Sequence, residues 1–239
     1  MLYDMARTFS LTRHRRVFSR VLTQHRFLML FLFLLATLIA YPYTEGRSSR
    51  FYAFRVLSGL IIVLSVYVVS FRRGLAIIAI MLAIPAMVQR VLNPSLTAGF
   101  WPVGNLILSL TFDVWIVVSI FRRVFSHVRI TSETIFGALC IYLLNGMSFA
   151  SIYGLVSDLQ PHAFRLDPAL NLHSIPDRFD FIYYSFGMMT QLGAAGIAAV
   201  TDQARSVSVI EAILGQLYLA VLISRLIASY RITPPAANS

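Results

Sequence analysis

Long apolar runs broken by short arginine-bearing connections set the pattern of this chain. The runs predict membrane spans at approximately Phe27–Tyr43, Phe54–Phe71, Gly74–Leu92, Phe100–Phe121, Glu133–Val156 and Val207–Ala228. A helix rises about 1.5 Å per residue and a hydrocarbon core is about 30 Å thick, so about twenty apolar residues suffice to cross. Pro85 removes one helical hydrogen bond and is expected to kink the third span. A run of a different kind lies between the last two spans. Asp180 to Gln191 (DFIYYSFGMMTQ) is apolar and aromatic but only twelve residues long, about 18 Å of helix. The small-residue stretch LGAAGIAAV follows, then a polar TDQARS step, then the sixth run. Short helix, small-residue turn and full span form the pattern of a re-entrant loop. Such backbone survives at membrane depth only where protein or a water-filled cavity surrounds it.

The connections sort by charge. Arg72-Arg73, Arg122-Arg123, Arg129 and the Arg225/Arg231 end fall on one side, together with an arm bearing Arg7, Arg13, Arg15 and Arg16. The other side carries Glu45 with Arg47 and Arg50, a lone Arg90, and the acids Asp158, Asp167, Asp177 and Asp180. The positive-inside bias then puts both termini in the cytoplasm, as an even number of spans also requires. This gives four regions: a basic arm (1–26), a four-span bundle (27–129), a two-span unit with the re-entrant loop (130–230) and a short tail (231–239). Leu11, Val17, Val21 and Leu22 recur at helical spacing in the arm, which suits either an interfacial amphipathic helix or a frayed cytosolic tail. No small-residue cleavage site follows the first apolar run, so it is expected to be a retained span. The tail leaves no room for a cytosolic ligand-binding domain. Thr131 or Ser132 is placed to cap the fifth span, with Glu133 in its first turn favoured by the helix dipole.

Composition supports a membrane protein. The chain is 58% hydrophobic and 13% charged, where a soluble domain carries about 25% charged residues. All 20 Lys+Arg residues are Arg, against 10 acids, for a net charge of +10. These arginines sit between apolar spans rather than on one soluble face, which argues for anchoring at anionic headgroups of the lipid bilayer and against nucleic acid. Cys140 stands alone in an apolar run, so no intrachain disulfide or cysteine metal cluster is expected. His162 and His173 lack ligand spacing and read as surface residues. No nucleophile–base constellation or phosphate-cradling glycine loop is present, and no enzyme activity is expected.

Certain residues of the two-span unit carry a family likeness. They are Tyr183-Tyr184-Ser185-Phe186, Thr190, Leu192-Gly193, Ile197, Ala204-Arg205-Ser206 and the run Glu211 to Ala220, with Thr134 to Ala138 and Gln160-Pro161 upstream. Over residues 130–229 the chain resembles the pore domain of tetrameric potassium channels, particularly bacterial six-span members. The resemblance implies an all-α integral membrane fold with six transmembrane helices plus a re-entrant pore helix. It also implies a homotetramer around a central pore, or a hetero-oligomer with related channel subunits, and a cation-channel-like function. No cofactor is implied beyond a permeant monovalent cation.

The filter departs from the family. Its pattern Thr-(Val/Ile/Leu)-Gly-(Tyr/Phe)-Gly-Asp falls on Gln191, Leu192, Gly193, Ala194, Ala195 and Gly196, where Leu192 and Gly193 alone match. Such a filter replaces an ion's water shell with backbone carbonyls, and glycines permit the positive-φ steps this needs. Gln191 brings a longer amide to the innermost position, Ala194 removes a bracing aromatic ring, and Gly196 removes a hydrogen-bonding acid. A left-handed Ala195 would cost about 1–2 kcal/mol in each subunit. A register that uses Gly193 and Gly196 as the glycine pair avoids this strain and inserts one residue. Three readings stay open: a wider or weakly selective channel, a silent subunit or modulator with a collapsed loop, and a small-residue packing patch in a different helical protein. Glu211 is expected to support the region behind the filter. Gly215 suits a hinge or a close helix contact, and Gln216 and Tyr218 suit packing or subunit interfaces. Asp113 reads as a hydrogen-bonded structural acid, and the acids near the loop either concentrate cations or are plainly solvated.

Overall fold

The computed structural model describes residues 25–40, 48–70, 73–91, 101–126, 131–171 and 173–230. The arm before His25, the 231–239 tail, Glu45, Arg47, Arg72 and Arg129 lie outside the described residues. Seven helices are present among the described residues: α1 (Arg26–Ala40), α2 (Ser48–Val69), α3 (Arg73–Val91), α4 (Trp101–Ser126), α5 (Ser132–Leu159), α6 (Arg178–Thr190) and α7 (Asp202–Tyr230). Two stretches, Ser132–Leu159 and Asp202–Ala228, are long and apolar enough to cross a membrane. Shorter apolar stretches occupy Arg26–Ala40, Gly59–Val69 and Gly74–Met87. Helix α3 continues through Pro85 to Val91. The TDQARS step is not a separate connection, because α7 begins at Asp202 and absorbs it.

The expectation of a wholly helical fold is corrected by a small antiparallel ribbon. Strand β1 (Phe164–Leu166) pairs with β2 (Ile197–Ala199) in the register Phe164–Ala199, Arg165–Ala198 and Leu166–Ile197. Each strand is three residues long, too short to show a period-2 pattern in sequence. Its physical cause is backbone satisfaction. Chain that leaves the loop after α6 must satisfy its buried backbone groups, and β1 supplies the partners.

Packing joins the bundle to the two-span unit. Phe27, Leu30, Leu34 and Thr37 form the buried stripe of α1 at helical spacing. Phe27, Leu30 and Leu34 share one apolar cluster with Ile62 of α2, Ala86 of α3, Ile116 and Ile120 of α4, and Ala138, Cys140 and Leu144 of α5. The Cys140 thiol donates to Phe27 O at 3.3 Å, and Phe27 N donates to Glu133 Oε2 at 3.2 Å. Helices α4 and α5 approach so closely at Gly137 that a Cβ there would lie 2.6 Å from Val124 Cγ2. At its far end α7 is tied across to the bundle: Arg225 Nη1 donates to Val124 O at 3.0 Å and its guanidinium lies 4.7 Å from the Phe125 ring centre. A second cluster collects Phe149, Tyr153, Phe164, Leu166, Phe181, Tyr184, Ile197 and Ala204 around the loop.

Candidate functional site

The short helix α6 lies between α5 and α7. Its start is set by Asp177, whose Oδ1 accepts from Phe179 N at 2.7 Å and Asp180 N at 2.9 Å. Asp180 Oδ2 returns the bond by accepting from Asp177 N at 2.8 Å, which completes a capping box. At the other end the helix stops on Gln191 in the left-handed region, φ 61°. Thr131 caps α5 in the same reciprocal way through Thr134. Replacing Asp177 with Ala is expected to cost about 1–2 kcal/mol through loss of the cap, read as a lower thermal midpoint and faster hydrogen exchange in the first turn of α6.

Behind α6 sits a buried polar network. Glu211 is 0% exposed. Its Oε1 accepts from the Ser185 hydroxyl at 2.5 Å, and its Oε2 accepts from the Tyr153 hydroxyl. Ser185 Oγ also lies 2.7 Å from the Gly146 carbonyl of α5. Ser208 donates to Ala204 O at 2.8 Å and so accepts from the Tyr184 hydroxyl, also at 2.8 Å. One carboxylate thus binds α5, α6 and α7 together. Tyr153, Phe164, Phe181 and Tyr184 surround this network edge-on, with ring centres 5.0–5.5 Å apart. Each such pair adds about 0.5–1.5 kcal/mol beyond its area burial.

Two glycines let backbone meet backbone. Gly193 N donates to Gly187 O at 3.1 Å, and a Cβ at Gly187 would lie 2.6 Å from Gly193 O. At Gly215 a Cβ would lie 3.1 Å from Met189 Cα and its carbonyl oxygen. Gly215 is therefore where α7 touches the end of α6.

In the loop Gln191–Gly196 the left-handed backbone falls on both glycines and not on Ala195. Positive φ falls on Gln191 (61°), Gly193 (77°) and Gly196 (89°), and the left-handed strain considered for Ala195 does not arise. Leu192 is 83% exposed. Thr190, Gln191 and Ala195 are also exposed, while Gly193, Ala194 and Gly196 are half-buried. The polar side chains turn back on their own helix: Thr190 Oγ1 donates to Phe186 O at 2.7 Å and Gln191 Nε2 to Met188 O at 3.2 Å. Ala194 O accepts from Ile197 N at 3.4 Å, and Gly196 O accepts from Asp167 N at 2.8 Å and Asn171 Nδ2 at 2.7 Å. Two carbonyls of the stretch are thus engaged within the chain.

Other sequence candidates disperse. Asp158 and Asp167 are exposed, whereas Asp177 and Asp180 serve as helix caps rather than as open surface charge. Asp113 is buried in α4. Tyr218 packs as expected, donating to Ala138 O at 2.6 Å. His173 is exposed, as expected; its Nε2 lies 2.8 Å from Asp180 Oδ2, and with Asp177 it brings three ligand atoms within 4.8 Å of one another. Both carboxylates are committed to capping at the positive end of a helix, which opposes a cation there. Sequence reasoning missed the bonding roles of Tyr153, Ser185, Ser208 and Asn171, because nothing in local spacing ties them to residues 24 to 58 positions away. No family model, curated protein or solved structure matches the chain.

Proposed function

We propose that this chain is a subunit of a cation-channel-like membrane assembly, with six membrane-crossing helices, α6 as a re-entrant pore helix and four copies around a central axis. The observation that carries the reading is α6 itself. It has 13 residues, too few to cross a hydrocarbon core, and lies between α5 and α7, which among the described residues are the helices both long and apolar enough to cross one. It then turns back through a loop whose ends are hydrogen-bonded to protein. The exposed loop backbone needs protein or water around it at membrane depth, and neighbouring copies around an axial passage supply both. The outward residues Val209, Ile213, Leu217 and Val221 of α7 leave a broad apolar face for lipid and for those copies. With an altered filter and an exposed Leu192, the pore passes monovalent cations and discriminates weakly between potassium and sodium.

One observation favours a second reading. The Ala194 and Gly196 carbonyls and the Thr190 and Gln191 side chains are all bonded within the subunit, which suits a silent subunit that assembles with intact relatives. Purified protein in planar bilayers under opposed potassium and sodium gradients separates the two. Current with a reversal potential between the two equilibrium values is expected. No current under any voltage, pH or tension supports the silent subunit, and a reversal at the potassium potential rejects the altered-filter reading. Crosslinking in mild detergent is expected to trap a tetramer; a stable monomer discards the pore.

A further inference from the structure

The outer end of the loop is held from the α5 side by one side chain. Asn171 Nδ2 donates to Gly196 O at 2.7 Å and to Asp167 O at 2.9 Å, which uses both amide hydrogens. Its own backbone is set by a turn, in which Leu170 N and Asn171 N both donate to Asp167 O at 3.1 Å and Asp167 Oδ1 accepts from Ala169 N at 2.9 Å. Gly196 is shaped to receive it: φ is 89°, and a Cβ would lie 2.9 Å from Asn171 Nδ2.

The remaining restraints lie at the two ends of the loop. The inner end is held by Gly193 N on Gly187 O, and beyond Gly196 the β1–β2 register holds Ile197 to Ala199. Among the described residues, Asn171 makes the one side-chain hydrogen bond that reaches the Gln191–Gly196 backbone from another part of the chain. The Asp167 N bond to the same carbonyl can persist without it, but with one donor rather than two the peptide plane after Gly196 gains freedom to rotate.

We propose that Asn171 is the positioning residue of the loop. By fixing the Gly196 carbonyl toward the β1 side, it sets which carbonyls of Gln191 to Ala195 remain available to an axial passage. Its consequence for ions rests on the pore reading; its consequence for loop conformation does not.

The test uses the full chain in lipid nanodiscs, with Asn171→Asp, which keeps the shape and loses the donor, and Asn171→Leu as a second variant. Amide exchange over Gly193–Ile197 is expected to accelerate about tenfold relative to wild type, as loss of a local restraint requires, while α5 and α7 keep their protection and the thermal midpoint holds. Unchanged exchange in both variants, or equal acceleration throughout the protein, overturns the proposal. In bilayers the reversal potential of the uncharged Asn171→Leu variant shifts from the wild-type value under the same gradients, a readout that added charge cannot explain and a plain structural contact would not move. An unshifted potential for Asn171→Leu in a conducting protein overturns the proposal as well. Absence of wild-type current sinks the pore reading instead and leaves the exchange result to decide the role of Asn171.

Discussion

Replacing Glu211 with Ala is expected to lower stability by about 3–5 kcal/mol, near the upper end for single substitutions. Several losses coincide. The side chain is 0% exposed, so its removal leaves a cavity that α5, α6 and α7 can close only in part. The hydroxyls of Ser185 and Tyr153 lose a shared acceptor, and a buried donor left unmade costs about 1–3 kcal/mol. Ser185 can still reach the Gly146 carbonyl, which makes Tyr153 the more exposed to loss. Glu211→Gln keeps the volume and one acceptor oxygen, and is expected to cost less than half as much. The check is a pair of thermal melts in one detergent or nanodisc, with a cycle through Tyr153→Phe. If Tyr153→Phe costs as much in the Glu211→Ala background as in wild type, the two side chains are not coupled.

Gly187→Val is expected to detach the loop from α6. The first added carbon alone would lie 2.6 Å from Gly193 O and 3.0 Å from Gly193 C, both backbone atoms that cannot rotate away. Overpacking of this kind costs about 1–3 kcal/mol, and the Gly193 N bond to Gly187 O goes with it. The larger consequence is local. Gly193 moves outward and Leu192 moves with it; under the proposed pore function, the passage that the loop lines then changes width. Ion flux should change by more than tenfold in either direction while the helical circular dichroism signal stays. Gly104→Ala, where nothing lies within 4 Å of the added carbon, is the matched control and should leave flux unchanged. Equal flux in the Gly187 variant and wild type would mean that the loop backbone does not line the passage.

How much of this was legible in the sequence depends on the range of the interactions. The short helix could be read because twelve apolar residues between polar flanks bound its length, and the observed Arg178–Thr190 differs by little at either end. Its cap was not recognised, although Asp177 and Asp180 stand at the spacing of a capping box. Thr131 was legible as a cap because capping is local. The loop register turned on a local rule too: glycine tolerates positive φ and alanine does not, so the chain places Gly193 and Gly196 there. Gln191 follows a different local logic, as the residue that ends α6. Contacts between distant positions could not be read. Asn171 sits in a polar stretch with no periodicity, and its bond to Gly196 appears only once the ribbon brings residues 25 positions apart together. The ribbon itself, three residues a side, is shorter than any pattern a sequence can display.

The attachments of α7 bear on how it can move. Gly215 touches Met189 of α6, Tyr218 bonds Ala138 of α5, and Arg225 bonds Val124 of α4. These fixings follow one another within ten residues, about 15 Å of helix. A rod clamped at successive heights to different neighbours cannot swing from the uppermost clamp alone. To widen or narrow the lower end of α7, the protein must either release Arg225 from Val124 or carry α4 along. The last turns of α7 and α4 are therefore coupled mechanically, and a displacement of one is passed to the other through that guanidinium.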